Sequence, residues 1–162
     1  MMVLLVFADS HGRTLNMYSA IEALQPDAVI HLGDYFEDAC DLRRSYPDLP
    51  VYAVRGNNDF EPDAPDFLVI APEGVRIYLA HGHRERVRRL DTGRMAECAE
   101  NHGCQLALFG HTHLRLDEQQ GSVRVFNPGS ISLPRDDYPS FLKLTVQDGK
   151  LLEVCFFNAN NL

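Results

Sequence analysis

Residues 2–8 read MVLLVFA and run directly into Asp9. An apolar stretch without a break is typical of a strand that is buried on both faces of a sheet. Two later stretches repeat the pattern, 28–32 (AVIHL) and 51–54 (VYAV), and each is followed by a polar loop that contains glycine. Apolar residues at near-helical spacing between residues 15 and 24, and a poorer pattern around Leu42, predict the intervening helices. This order predicts a parallel sheet with right-handed crossovers.

The second half of the chain is richer in strand patterns. Residues 67–70 and 75–80 flank Pro72-Glu73-Gly74, which predicts a hairpin. Residues 92–101 predict a helix that ends before Gly103. The remaining predicted strands are 106–109, 123–126, 141–146 and 151–157, with a turn at Asp148-Gly149 before the last of them. Because no repeat or linker interrupts the pattern, we expect one α/β domain over residues 1–162.

Composition restricts the classes of function. The net charge is −8, so the surface repels polyanions and lacks the basic patch of a general nucleic-acid binder. Four scattered cysteines without a C-x-x-C pair predict free thiols in a reducing compartment. No apolar run reaches the roughly 18 residues of a membrane span, and no signal sequence opens the chain. We therefore expect a soluble cytoplasmic protein without a membrane partner.

Side chains that can bind metal follow five separate strands, at the point where each strand ends. They are Asp9, His11, Asp34, Asn57, His81, His111 and His113. A single sheet can bring the carboxyl ends of its strands to one place. Imidazole nitrogen mixed with carboxylate and amide oxygen suits zinc, iron or manganese. Seven donors are too many for one ordinary ion, and they suffice for two ions that share a bridging carboxylate.

The motifs around these donors resemble those of the calcineurin-like metallophosphoesterase superfamily. In chain order they are Asp9-x-His11, Gly33-Asp34, Gly56-Asn57-x-Asp59, His81-Gly82-His83 and Gly110-His111-Thr112-His113. The short spacers, and Asn127-Pro128-Gly129-Ser130, resemble its compact single-domain phosphodiesterase branch. The resemblance implies two facing mixed β-sheets flanked by helices, a four-layer α/β/β/α sandwich.

The resemblance also implies a site and a reaction. One ion would be held by Asp9, His11 and His113, the other by Asn57, His81 and His111, and Asp34 would bridge them. A metal-bridging hydroxide would attack the phosphorus of a phosphodiester in line. The cofactors would be two divalent ions, manganese first, with nickel, iron or zinc as alternatives. Relatives in the compact branch suggest a homodimer or homotetramer.

The residue after the ligating asparagine departs from the pattern of the family. Much of the superfamily has histidine there and the compact branch often has cysteine, whereas this chain has Asn58. An amide can hydrogen-bond a phosphate oxygen but cannot donate a proton near neutral pH. His83 is a candidate proton donor, or a residue that contacts substrate or orients the loop. Asp59 is expected to orient a neighbouring side chain.

Three arginines near the motif loops are candidates for bidentate phosphate binding, Arg13, Arg55 and Arg84, although each is also plausible as a surface residue. A run of arginines, Arg84, Arg86, Arg88 and Arg89, is interpreted as a solvated helix face because acidic residues surround it. Loops after Asp59 and His83, and the segment Leu114–Gly121, are expected to select the leaving group. His31 and His102 are expected to be structural.

Two other functions stay open. One is a binding module on the same fold, as in the retromer scaffold subunit, which resembles this branch but has lost catalytic capacity. Intact donors at all seven positions argue against that interpretation. The other is a mononuclear metal protein, or a metal-dependent hydrolase of a different bond.

Overall fold

A computed structural model of the protein describes residues 1–88 and 91–162. The helices in this part of the chain are α1 (Leu15–Leu24), α2 (Phe36–Ser45) and α3 (Gly93–Asn101). The strands are β1 (Met2–Phe7), β2 (Ala28–His31), β3 (Val51–Ala53), β4 (Phe67–Ile70), β5 (Ile77–Ala80), β6 (Leu106–Leu108), β7 (Arg115–Gln120), β8 (Val123–Pro128), β9 (Ser140–Gln147) and β10 (Lys150–Asn158). None of the described helices is long and apolar enough to cross a bilayer.

The strands form two mixed five-stranded sheets. In the first sheet the order is β10-β9-β1-β2-β3, with β1, β2 and β3 parallel and β9 antiparallel to both neighbours. In the second the order is β4-β5-β6-β8-β7, with β5, β6 and β8 parallel and the two edge strands antiparallel. The parallel start predicted from residues 2–8 onward is confirmed, as is the hairpin of β4 and β5.

Three apolar clusters define the layers. Leu4, Ile30 and Leu79 belong to the cluster that fills the space between the two sheets. Because side chains alternate along a strand, their neighbours point outward, and Leu5 and Phe7 pack with residues of α1 and α2 in a second cluster. A third cluster joins α3 to the outer face of the second sheet. The four-layer α/β/β/α sandwich is therefore confirmed.

Two local expectations were wrong. Leu114–Gly121, expected as a loop, contains strand β7, which pairs antiparallel with β8. Its sequence RLDEQQ lies at a sheet edge, where polar side chains replace the apolar alternation that marks other strands. The arginine run does not form a helix at Arg84 and Arg86, because turns occupy residues 83–86 and Arg86 has a left-handed φ of 56°. Arg89 lies outside the described residues.

Candidate metal centre

The loops that carry the predicted donors come from both sheets and meet at one edge. Asp9, Asp34 and Asn57 follow β1, β2 and β3 of the first sheet, whereas the histidines at 81 and 111 follow β5 and β6 of the second. Within the first sheet the Asp9 amide donates to the Gly33 carbonyl at 3.1 Å. Across the two sheets the His111 amide lies 3.3 Å from Asp9 Oδ1. The seven donors are therefore brought together, but at the facing edges of two sheets rather than at the edge of the single sheet on which the sequence argument relied.

Four of the donors form a compact metal-capable group. One ligand atom from each of Asp9, His11, Asp34 and His113 lies within 4.8 Å of all the others. His11 Nε2 is 3.4 Å from Asp34 Oδ2, and His113 Nε2 is 3.6 Å from Asp9 Oδ1. This group matches the first predicted ligand set together with the predicted bridging carboxylate.

The other three donors surround the opposite side of the same carboxylate. Asn57 Oδ1 lies 3.0 Å from His81 Nε2 and 3.1 Å from His111 Nδ1. His81 Nε2 is in turn 3.4 Å from Asp34 Oδ1. Each oxygen of Asp34 therefore faces a different set of donors.

Unpartnered buried atoms show that these residues fit a divalent cation. Asp9 Oδ2 and His11 Nε2 are buried and have no hydrogen-bond partner among the described residues. Buried polar atoms are normally paired, since leaving one unpaired costs about 1–3 kcal/mol. Burial, reinforced by the charge of Asp34, also raises the pKa of Asp9 well above its ordinary value. A cation between these groups would satisfy the free atoms and offset the repulsion between the carboxylates.

Burial favours the neutral form of three candidate donor histidines. Burial lowers the pKa of His81 to about 3 and also lowers those of His111 and His113. His81 Nδ1 lies 2.7 Å from the Leu32 carbonyl, and His113 Nδ1 lies 2.6 Å from the Leu133 carbonyl. Because a carbonyl only accepts, each Nδ1 carries the proton and each Nε2 presents a lone pair to the site.

The backbone of the donor loops is strained. Five donor residues have a left-handed φ between 49° and 66°: Asp9, His11, Asp34, His111 and His113. Residues with a Cβ rarely adopt this conformation, and such strain is concentrated at functional sites. The loops also approach one another too closely for a side chain at Gly33, where a Cβ would stand 2.9 Å from His81 Nδ1.

Asn58 and Asp59 both position the Asp34 loop. The amide nitrogen and Nδ2 of Asn58 donate to Asp34 Oδ1 and Oδ2 at 3.1 and 2.8 Å. Burial tends to raise the pKa of Asp34, but His81 and the Asn58 hydrogen bonds outweigh it and the net pKa is lowered. The carboxylate of Asp59 accepts from the amides of Tyr35, Phe36 and Gly56, each at 2.8 Å. Asp59 therefore holds the backbone of the loops around it, rather than the neighbouring side chain that the sequence suggested.

The candidate substrate-binding residues differ in their exposure and in their ion pairs. His83 is half-buried, with its ring centroid 5.4 Å from that of His81, and its Nδ1 has no partner in the described part of the chain. Arg55 and Arg84 share one acceptor, Asp66 Oδ1, at 2.9 and 3.3 Å. Arg13 is exposed and lines a separate surface cavity. Phosphate contact by these arginines stays a prediction.

A buried network behind the Asp9 loop is absent from the sequence predictions. Asp38 Oδ2 accepts from Ser10 Oγ at 2.6 Å and from the Gly12 amide at 2.9 Å. Ser10 Oγ also lies 2.8 Å from His31 Nε2, in the structural role expected of His31. The sequence carries no signal for this role, because Asp38 lies in the first turn of α2 and meets Ser10 and Gly12 only through the tertiary fold.

The Asn127–Ser130 segment links the loops of the two sheets. Asn127 Nδ2 donates to the Gly110 carbonyl at 2.8 Å, beside the first histidine of the His-x-His motif. Ser130 Oγ donates to the Asp9 carbonyl at 2.8 Å. This segment therefore supports donors from both sheets without contributing one.

Comparisons with known proteins agree with this geometry. The calcineurin-like phosphoesterase superfamily domain matches residues 2–149. The chain is 33% identical to the probable metallophosphoesterase YsnB of Bacillus subtilis, covering 83% of this chain and 78% of that protein. It is 32% identical to the phosphodiesterase YfcE of Escherichia coli K12, covering 69% and 60% of the two chains.

Solved structures show the same fold. A conserved protein of Streptococcus pneumoniae, described as a predicted phosphoesterase, aligns with a TM-score of 0.79 and 27% identity, covering 98% of this chain and 90% of that one. Vps29 of Entamoeba histolytica, solved with zinc, aligns with a TM-score of 0.76 and 21% identity, covering 96% and 97%. The chain therefore belongs to the calcineurin-like phosphoesterase superfamily and is a metal-dependent phosphoric ester hydrolase.

Proposed function

We propose that this protein is a two-metal phosphodiesterase. The observation that carries the proposal is the position of Asp34, whose two oxygens lie 3.4 Å from His11 Nε2 on one side and from His81 Nε2 on the other. A carboxylate between two donor sets is what two neighbouring ions require as a bridge. Bound there, the ions would supply an activated water for in-line attack on phosphorus and neutralise charge on the phosphoryl oxygens.

The protein's own residues would prepare the site for this reaction. Asp9, His11 and His113 would hold one ion, and Asn57, His81 and His111 the other. The hydrogen bonds from Asn58 would keep both oxygens of Asp34 directed at the two sets. An amide supplies no proton near neutral pH, so we propose that the enzyme favours leaving groups of low pKa or has them protonated by water.

We propose the substrate contacts from the positions of the side chains around the donors and from their hydrogen-bonding or charged groups. The unpartnered His83 Nδ1 supports a hydrogen bond to a substrate oxygen. Arg84 is more exposed than Arg55, and both are partly neutralised by Asp66. Arg13 has no ion pair among the described residues, which leaves its guanidinium available to an anion.

The family resemblance implies manganese first, and the donor set, which mixes imidazole with carboxylate and amide oxygens, is compatible with manganese, nickel, iron or zinc. Zinc on the same fold is found in the Vps29 relative. The four cysteines are all free thiols, which supports a cytoplasmic location. Light scattering would test the homodimer or homotetramer that the family resemblance implies.

The test is hydrolysis of bis(p-nitrophenyl) phosphate by metal-stripped protein reloaded with manganese, nickel, iron or zinc, with metal content measured in parallel. We expect turnover with at least one metal and two ions per chain. His111→Ala should lower the metal content and the activity because it removes a donor of the second set. His102→Ala is the matched control, since His102 is exposed and lies outside the donor set, with its ring bonded to the Cys98 carbonyl at 2.8 Å and packed beside Phe67 and Tyr78.

The same experiment distinguishes the two-metal phosphodiesterase from a binding module on the same fold and from a mononuclear metal protein. Absence of turnover with all four metals would favour a binding module on this fold. One tightly bound ion per chain, unaffected by His81→Ala or His111→Ala, would favour a mononuclear site.

A further inference from the structure

A cavity beside the donor cluster has no role in the proposed reaction. Its volume is about 350 Å³, within the range of small-molecule sites. Its lining combines two arginines, one donor histidine and two aliphatic side chains with a threonine: Arg88, Arg135, His111, Val87, Leu114 and Thr112. Because His111 belongs to the lining, anything bound in the cavity would lie next to the second donor set, where the proposed reaction takes place.

The two arginines leave the cavity positively charged. The carboxylates that follow Arg135 are engaged elsewhere, since Asp136 and Asp137 both pair with Arg115. Near Arg88, the carboxylate of Asp91 accepts a hydrogen bond from the Gly93 amide at 3.3 Å. Within the described chain neither cavity arginine has an ion pair, and no carboxylate is part of the lining. Two unpaired guanidinium groups are unusual on a protein of net charge −8, and they favour a group with more than one negative charge.

The backbone fixes Arg135 relative to the metal donors. Its amide donates to the carbonyl of His113 at 3.0 Å. His113 Nδ1 in turn bonds the Leu133 carbonyl at 2.6 Å. The segment 133–135 is therefore tied to a donor residue at two points, so the position of this arginine is set by the same loop that builds the site.

We infer that this cavity binds one ester substituent of the substrate and that Arg135, with Arg88, binds a second phosphate carried by that substituent. Val87 and Leu114 would contact the organic part that connects the two phosphates. The inference rests on the proposed phosphodiesterase function and specifies its substrate class, a diester with a further phosphate close to the scissile one. Arg135 is thus a specificity-determining residue.

The test compares two chromogenic diesters with the same scissile bond, thymidine 5′-(p-nitrophenyl phosphate) with and without a 3′-phosphate. We expect kcat/KM to be about ten- to hundredfold higher for the 3′-phosphorylated diester, the range of one or two charge-assisted hydrogen bonds. Arg135→Ala should bring the ratio of the two values close to one. Arg135→Lys should leave an intermediate ratio, because a lysine keeps the charge without the bidentate fork.

Arg94→Ala is the matched control, since Arg94 is exposed on α3 and, among the residues that the structure describes, pairs with Glu97 alone, at 3.8 Å. It should leave the ratio unchanged. A wild-type ratio near one would overturn the inference, as would an Arg135→Ala variant that lowers kcat/KM for both diesters by the same factor.

Calorimetry with the products distinguishes failure of this inference from failure of the proposed function. If neither diester is hydrolysed, the proposed function fails, but binding of thymidine 3′,5′-bisphosphate against thymidine 5′-monophosphate still tests the cavity. Tighter binding of the bisphosphate that Arg135→Ala removes supports the inference. Equal binding of the two nucleotides, or a preference that survives Arg135→Ala, contradicts it.

Discussion

Asp34→Asn should lower kcat/KM for bis(p-nitrophenyl) phosphate by more than about 100-fold, because even residues behind the metal ligands are typically worth 10- to 100-fold. The substitution keeps the size of the side chain but removes the negative charge that faces both donor sets. It also replaces one accepting oxygen by a donor, which would oppose the Asn58 Nδ2 group 2.8 Å away. Metal content per chain, measured on the same sample, should fall with activity.

Glu37→Gln is the control for Asp34→Asn. Glu37 is exposed on α2 and pairs with the equally exposed Arg44, a contact worth little in water. From the sequence alone, Asp38 is an equally suitable control. The structure contradicts this, since Asp38 is buried and holds Ser10 and the Gly12 amide. Equal activity of Asp34→Asn and Glu37→Gln would refute the bridging role.

Gly33→Ala should lower the free energy of unfolding of the metal-free protein by about 3 kcal/mol. A residue with a Cβ pays about 1–2 kcal/mol for left-handed backbone, and Gly33 has φ of 94°. Overpacking adds about 1–3 kcal/mol, because the new Cβ would stand 2.7 Å from the Gly56 amide nitrogen and 2.9 Å from His81 Nδ1. Urea unfolding gives the stability, and metal titration should show weakened binding at His81.

Gly121→Ala separates the cost of left-handed backbone from the cost of overpacking. Gly121 also has a left-handed φ, 59°, but nothing lies within 4 Å of a Cβ added there. Its substitution should cost only the backbone strain, about 1 kcal/mol, with metal binding unchanged. If both alanine variants lose the same stability, close approach of the loops at Gly33 is not the cause.

The sequence predicts the sheets and the donors because each depends on a local pattern. Residues 2–8 are apolar without a break, and Asp9 follows where the strand must end, so the strand and the site are set by the same few residues. Parallel strands then bring their carboxyl ends together within each sheet, and docking of the two sheets places His81, His111 and His113 beside the donors of the first sheet. The donors can therefore be predicted from their positions at strand ends without knowing which loops approach one another most closely.

Features that depend on tertiary contacts escaped prediction. Strand β7 has a polar sequence because it lies at a sheet edge, and nothing local distinguishes it from a loop. The hydrogen bond that Ser10 Oγ donates to Asp38 joins residues 28 positions apart. The cavity arginine at 135 lies outside the motif loops, and only folding brings it beside His111. Such contacts have no signal in propensity or periodicity.

The origin of the donors in two different sheets would make each proposed ion a removable cross-link of the sandwich. Either ligand set is complete only while the two sheets are docked, so an ion binds the docked state and not the separated one. By mass action, free metal at 100 times its dissociation constant would add about 2.7 kcal/mol to the stability of that state. Chelation would therefore lower the stability of the docked sheets as a unit, an effect that urea unfolding of the whole domain would detect and that is not confined to the loops that lose the ion.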